Sequence, residues 1–260
     1  MDTVGLVLTG LGVALGAMTL LWVVSVIVRD SSIVDMVWGP GLALLGVTYY
    51  LLGDGGFEGR KVLLVLLVVV WGLRLGIYLT WRNLGKGEDF RYREWREQHG
   101  KRWWWWSLFQ VYWLQAVVMW VVSLTMIPAQ VGSLPARLIW LDYVGVAFWA
   151  IGMFFETVGD WQLMRFKANP ENKGKVLNTG LWRYTRHPNY FGDFMVWWGH
   201  FFVSAAVGGW WAVIGPAVMS WMLMQVSGVA LLEKSLKVKK PQYAEYERQT
   251  SAFFPWFPKK

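Results

Sequence analysis

Cysteine is absent from this chain of 260 residues. Its absence excludes disulfides, a thiolate nucleophile and any Cys-ligated metal or cluster. Histidine is nearly absent: His99, His187 and His200 are too dispersed to suggest a metal centre. No Gly-x-Gly-x-x-Gly, Walker loop, His-Glu-x-x-His or Gly-x-Ser-x-Gly occurs. A soluble dinucleotide fold, a phosphate-binding loop, a zinc protease and a nucleophile elbow therefore have no support. No Gly/Ser linker, low-complexity segment or internal repeat divides the chain, so residues 1–260 read as one domain. The first apolar run lacks a basic start and a small-residue cleavage site, and reads as a retained helix rather than a signal peptide.

What is present is apolar surface in long runs. The composition is 55% hydrophobic with 21 tryptophans, and several runs reach the roughly 20 residues that cross a bilayer core. The pattern predicts an all-α polytopic membrane protein with seven transmembrane helices, near residues 4–28, 33–52, 61–81, 107–128, 138–161, 190–207 and 209–232. A net charge of +8 could suggest nucleic acid, but the basic residues sit in short gaps between apolar runs, as in cytoplasmic membrane loops. The gaps after spans three, five and seven are rich in Lys and Arg. The gaps on the other side hold little beyond Arg60, Lys61 and Arg137. The positive-inside rule then places the N-terminus outside and the C-terminus in the cytoplasm. Trp103-Trp-Trp-Trp106 and Trp210-Trp211 read as interfacial belts.

Residues 178–199 begin as a polar basic loop and end as an apolar helix. Pro188 ends any preceding helix and can open the next. Arg183, Arg186, His187, Asn189 and Tyr190 gather at that helix entrance, whose exposed amides and dipole attract anions. Asp193 lies three residues past Tyr190 on the same face, and Trp197 and His200 extend it. The alternative for the same composition is a charged membrane collar, with Arg and Tyr anchoring a helix end.

Gly180-Leu-Trp-Arg-Tyr-Thr-Arg-His-Pro-Asn-Tyr-Phe-Gly-Asp193 resembles the C-terminal signature of the steroid 5-alpha-reductase and sterol reductase superfamily. With Ser32-Ile-Val-Asp-Met-Val-Trp-Gly39, the chain resembles the bacterial DUF1295 branch over nearly its whole length. The shorter Arg-His-Pro-x-Tyr-x-Gly form also occurs in isoprenylcysteine carboxyl methyltransferase relatives. The resemblance implies a membrane reductase in a bacterial inner membrane, with NADPH bound from the cytoplasm and a lipophilic enone, steroid-like or not, as substrate. It implies a substrate side in residues 1–128 and a cofactor-binding part in residues 138–260. By it, Asp160, Arg165, Lys167, Tyr184, Arg186, His187, Asn189, Tyr190, Asp193, Glu233, Lys234 and Tyr243 become the candidate cofactor-binding residues, the last three through a tail that closes over the cofactor.

Ionisable groups within the spans each need a reason, since one at membrane depth costs at least ~2.5 kcal/mol. Asp35 lies a turn inside span two. It is either a helix-start carboxylate on the positive dipole end or, as the resemblance implies, a carboxyl that polarises a substrate carbonyl. Arg74 and Tyr78 lie a turn apart on span three; Asp35 is the expected partner of Arg74. Tyr78 resembles the tyrosine that assists carbonyl activation in the steroid enzymes, or is a plain interfacial tyrosine. If Asp35 is paired, Tyr78 is the better donor. Gln110 and Gln115 could line a cavity or bond to neighbouring helices. Gly145, Gly152 and Gly159 recur every seven residues, a small-residue seam for close helix approach. Glu156 and Asp160 are close enough that one is expected to be protonated or paired. Together with these features, the resemblance implies hydride transfer from NADPH to the C=C bond of an enone. The rivals are an S-adenosylmethionine-dependent methyltransferase and a non-enzymatic membrane lipid-binding protein. No metal and no nucleic-acid partner is expected.

Overall fold

The first helix is bounded by its own polar ends. The Asp2 carboxylate accepts a 2.8 Å hydrogen bond from the Gly5 amide, and Arg29 ends the helix in the left-handed conformation, at φ 57°. A computed structural model describes residues 1–226, 229, 233 and 242–259. The helices are α1 (Thr3–Val28), α2 (Ile33–Leu52), α3 (Glu58–Asn83), α4 (Phe90–His99), α5 (Trp103–Ser107), α6 (Leu114–Ser123), α7 (Ile127–Val131), α8 (Trp140–Ala168), α9 (Pro188–Ala205), α10 (Ile214–Trp221) and α11 (Tyr243–Gln249). Among the described residues there is no strand. Also among the described residues, five helical stretches are long and apolar enough to cross a membrane: α1, α2, α3, the continuous run Phe90–Val131, and α8. The sixth and seventh expected spans correspond to α9 and to a shorter apolar helical run, Trp210–Val226.

The fourth run starts well before the expected residue 107. Asp89 caps α4 by accepting from the Arg91 amide at 3.0 Å, so a segment read as a loop is helical. The tryptophans that follow divide. Trp104 and Trp106 are exposed, as an interfacial belt requires, whereas Trp103 is buried and donates to Ser31 Oγ at 3.1 Å. Between α5 and α6, Leu108–Trp113 widens to a π-helical turn.

The chain divides into two compact units, Met1–Asp142 with Val203–Gly215, and Tyr143–Phe202 with Pro216–Lys260. In the first unit, α2 and α3 touch backbone to backbone: a Cβ on Gly39 would lie 2.5 Å from the Gly72 carbonyl oxygen, so only glycine permits the crossing. Pro40 packs against Gly76 on the same face. Arg60, expected as a loop charge, is fully buried. Its Nε and Nη2 donate to the two Asp142 oxygens at 2.7 and 2.9 Å, and Nη1 and Nη2 also donate to the Pro135 and Arg137 carbonyls.

In the second unit the glycine seam of α8 receives α9. A Cβ on Gly192 would lie 2.6 Å from the Gly152 carbonyl oxygen, and one on Gly199 would lie 2.7 Å from that of Gly145. Gly159 meets Pro188 itself. The sevenfold repeat thus places the start of α9 against the last turns of α8. Phe191, Met195 and Phe253 form the core beside this crossing, packed by Phe155 and Phe194.

Candidate functional site

Residues 181–187 are held from both sides. On one side, Leu181 N donates to Gln162 Oε1 at 3.0 Å, and Trp182 Nε1 donates to the Gly159 carbonyl at 3.1 Å. On the other, the C-terminal segment runs alongside. Arg186 N donates to the Ser251 carbonyl and Trp256 N to that of Tyr184, both at 2.9 Å. Thr185 Oγ1 donates to the Phe253 carbonyl at 2.8 Å, and the Tyr246 hydroxyl donates to the Trp182 carbonyl. Residues 242–259 therefore form a strap across the motif.

At the start of α9, Asn189 Nδ2 donates to Asp160 Oδ1 at 3.2 Å, joining two of the candidate residues. The rings of His187 and Tyr190 stack at 5.5 Å and 7°. Tyr190 and Asp193 are half-buried and His187 is buried; Arg165, Lys167, Arg183 and Tyr184 are exposed. The Arg165 guanidinium lies over the Trp161 ring at 5.1 Å, and Tyr184 meets Phe257 edge-on. Glu156 and Asp160 are both buried. Farther along α9, His200 is buried and its Nδ1 lies 2.8 Å from the Val196 carbonyl. Lys234 lies outside the described residues.

Arg186 and Glu233 form a buried two-point pair. Arg186 Nε and Nη2 donate to Glu233 Oε1 and Oε2 at 2.7 and 3.1 Å, and Nη1 donates to the Glu247 and Thr250 carbonyls at 2.8 and 2.9 Å. His187 Nε2 lies 3.1 Å from Glu233 Oε1. Burial opposes the charged form of Glu233, but hydrogen bonds from His187 and Arg186 outweigh it and hold the carboxyl down at about 2. Burial, followed by the Glu233 charge, pushes the Tyr243 hydroxyl up.

The first unit has its own polar cluster at the start of α2. Tyr92 OH donates to Asp35 Oδ1 at 2.7 Å, Arg91 Nη2 donates to Oδ2 at 3.0 Å, and Gln115 Nε2 donates to the Tyr92 hydroxyl at 3.4 Å. A second set of bonds fixes this arrangement: Ser31 N and Arg96 both donate to Glu88, and Asp89 N donates to Ser32 Oγ. Both Asp35 oxygens are thus acceptors. Arg74 was expected on Asp35; the bonds described there come from Arg91 and Tyr92. The Arg74 guanidinium lies 5.4 Å from the Tyr78 ring, with Arg82 at 5.6 Å. The sequence singles out Gln115 and counts Arg91 only among the basic residues of the gap after span three; nothing in it singles out Tyr92. The available signal was Asp89 as a helix cap immediately before them.

A family model described as "Protein of unknown function (DUF1295)" matches residues 21–250. An uncharacterised protein of Schizosaccharomyces pombe is 26% identical over 270 residues, covering 90% of this chain and 75% of the relative. The bovine 3-oxo-5-alpha-steroid 4-dehydrogenase 1 is 33% identical over 66 residues, about a quarter of each chain (25% and 26%). No solved structure matches. With most of its length inside the family's bounds, as the cluster at Asp35 and the strapped motif before α9 both are, the chain belongs to the DUF1295 family.

Proposed function

We propose that this protein is an integral-membrane reductase that uses NADPH to reduce the C=C bond of a lipophilic α,β-unsaturated ketone. The observation that carries the reading is the start of α9. Pro188 opens an 18-residue helix whose N-terminal end carries the positive pole of the helix dipole. Asn189 there is bonded to Asp160, and exposed Arg165, Lys167 and Arg183 supply positive charge nearby in sequence. These groups suit a phosphate-bearing dinucleotide, with phosphates on the cations and hydroxyl or amide groups on Asn189, Tyr190 and Asp193. The local similarity to a steroid dehydrogenase supports the same reading. When bound, the reduced nicotinamide supplies the hydride.

The reaction also needs a hydrogen-bond donor. The substrate carbonyl gains negative charge as the hydride adds, and a hydrogen-bond donor aimed at it lowers the barrier. Asp35 and Tyr78 are the two candidates. Asp35 accepts on both oxygens, so Tyr78 is assigned as the donor, and Asp35 as the anchor that holds Arg91 and Tyr92. The topology belonging to this reading is seven spans in a cytoplasmic membrane. The N-terminus is outside, and α9 and the tail open to the cytoplasm where NADPH is found. Membrane lipid surrounds the chain, and the substrate partitions from it.

The test is oxidation of NADPH by the purified protein in detergent, against steroid and non-steroid enones. Turnover of at least one enone with loss of absorbance at the reduced nicotinamide supports the reading. Binding of S-adenosylmethionine without NADPH would make the protein a methyltransferase. Binding of neither, with Asp193→Ala leaving function in the cell intact, would make it a lipid-binding protein.

A further inference from the structure

We infer that Arg186 and Glu233 are a positioning pair, fastening the C-terminal strap across residues 181–187, and that neither touches the coenzyme. This rests on the dinucleotide reading of the α9 entrance and changes the expected roles of two of its candidates. A guanidinium has five N–H donors. Four of those of Arg186 are committed, two to Glu233 oxygens and two to strap carbonyls. Nη2 also faces the Glu247 carboxylate at 4.0 Å. A phosphate would have to displace Glu233 from a 2.7 Å contact and then sit beside a buried like charge, which is unfavourable.

The pair has a second effect. Glu233 also meets His187, and His187 stacks on Tyr190. One carboxylate therefore fixes the strap through Arg186 and the Tyr190 ring through His187. The anion-binding work is left to the exposed cations, Arg183 above all, which sits inside the strapped segment. The reversal has a sign that can be measured. If Arg186 held a phosphate, Glu233 would be a competing anion and its neutralisation would tighten NADPH. If the pair positions the strap, neutralisation loosens it.

The experiment uses the full-length protein in detergent, with Glu233→Gln, Arg186→Lys and Arg183→Ala. One readout needs no cofactor: the rate of tryptic cleavage after Arg248, which is exposed on the strap. The other is NADPH affinity against salt. Glu233→Gln should speed cleavage and weaken NADPH, each by about tenfold, as loss of a charged hydrogen bond implies. The salt dependence should not change, whereas Arg183→Ala should reduce its slope by about one charge. Glu233→Gln that tightens NADPH, or leaves cleavage unchanged, overturns the inference. If Glu233→Gln does not fold, Arg186→Lys decides, because it keeps the positive charge and loses donors to the strap carbonyls. Faster cleavage supports a positioning pair, and unchanged cleavage overturns it. If the wild-type protein binds no dinucleotide, the coenzyme reading fails while the cleavage arm still judges the strap.

Discussion

Two Arg–Asp pairs in the first unit share a chemistry and differ in setting. Arg60–Asp142 has both side chains at 0% exposure and is saturated by carbonyls, with Ile139 N also donating to Asp142. Arg91–Asp35 is open, at 36% and 27% exposure. Its carboxylate also holds a tyrosine that in turn accepts from a glutamine. A closed, saturated pair fixes the chain and has no capacity left for a ligand. An open pair is stabilised little by its charge, and its side chains stay partly accessible.

Breaking the closed pair should produce the largest effect. Arg60→Ala leaves the Asp142 carboxylate buried without its partner and should cost about 3–5 kcal/mol. Thermal unfolding in detergent would read it, and Arg60→Met with Asp142→Leu should recover most of the loss. An Arg60→Ala protein as stable as wild type would remove the distinction between the pairs. Next, Tyr78→Phe should lower turnover of any reduced enone by about 10²- to 10³-fold, the scale of losing one donor to a developing oxyanion. NADPH affinity should be unchanged. Equal losses in Tyr78→Phe and Asp35→Asn would return Asp35 to the donor role.

The third test is acid stability. Glu233 is held at about 2 in the folded chain against an ordinary 4.5, so the folded state binds its proton less readily than the unfolded one. Its contribution is complete above pH 4.5 and is lost as pH falls towards 2. Glu233→Gln should flatten the stability profile in that window. A profile identical to wild type would show that the Arg186 pair contributes nothing to folding. The smallest effect is expected from Arg91→Ala: about 1 kcal/mol on stability, since the pair is only half-buried, but a measurable fall in turnover through the freed Asp35. A large stability loss there would class the open pair with the closed one.

Much of this architecture was legible locally. The apolar runs marked α1, α2, α3 and α8, Pro188 marked the first residue of α9, and the sevenfold glycines of α8 marked the surface on which α9 lies. Each signal is a property of one helix: its length, its stop or its face. Asp160 with Asn189 was within reach for the same reason, because the seam that joins α8 to α9 carries both.

The pairings of charge were not legible. Arg60 meets a residue 82 positions away, Asp35 one 56 away and Arg186 one 47 away. No periodicity relates such residues, and an arginine in a basic gap has the same one-letter surroundings whether it snorkels or is buried. The sequence by itself determined a helical membrane chain, the helix that opens at Pro188 and the glycine face that receives it, because these follow from hydropathy and backbone sterics over a few turns. Only the tertiary structure decided which carboxylate each arginine holds, because a buried charge is tolerable wherever the fold happens to bring its complement within about 3 Å.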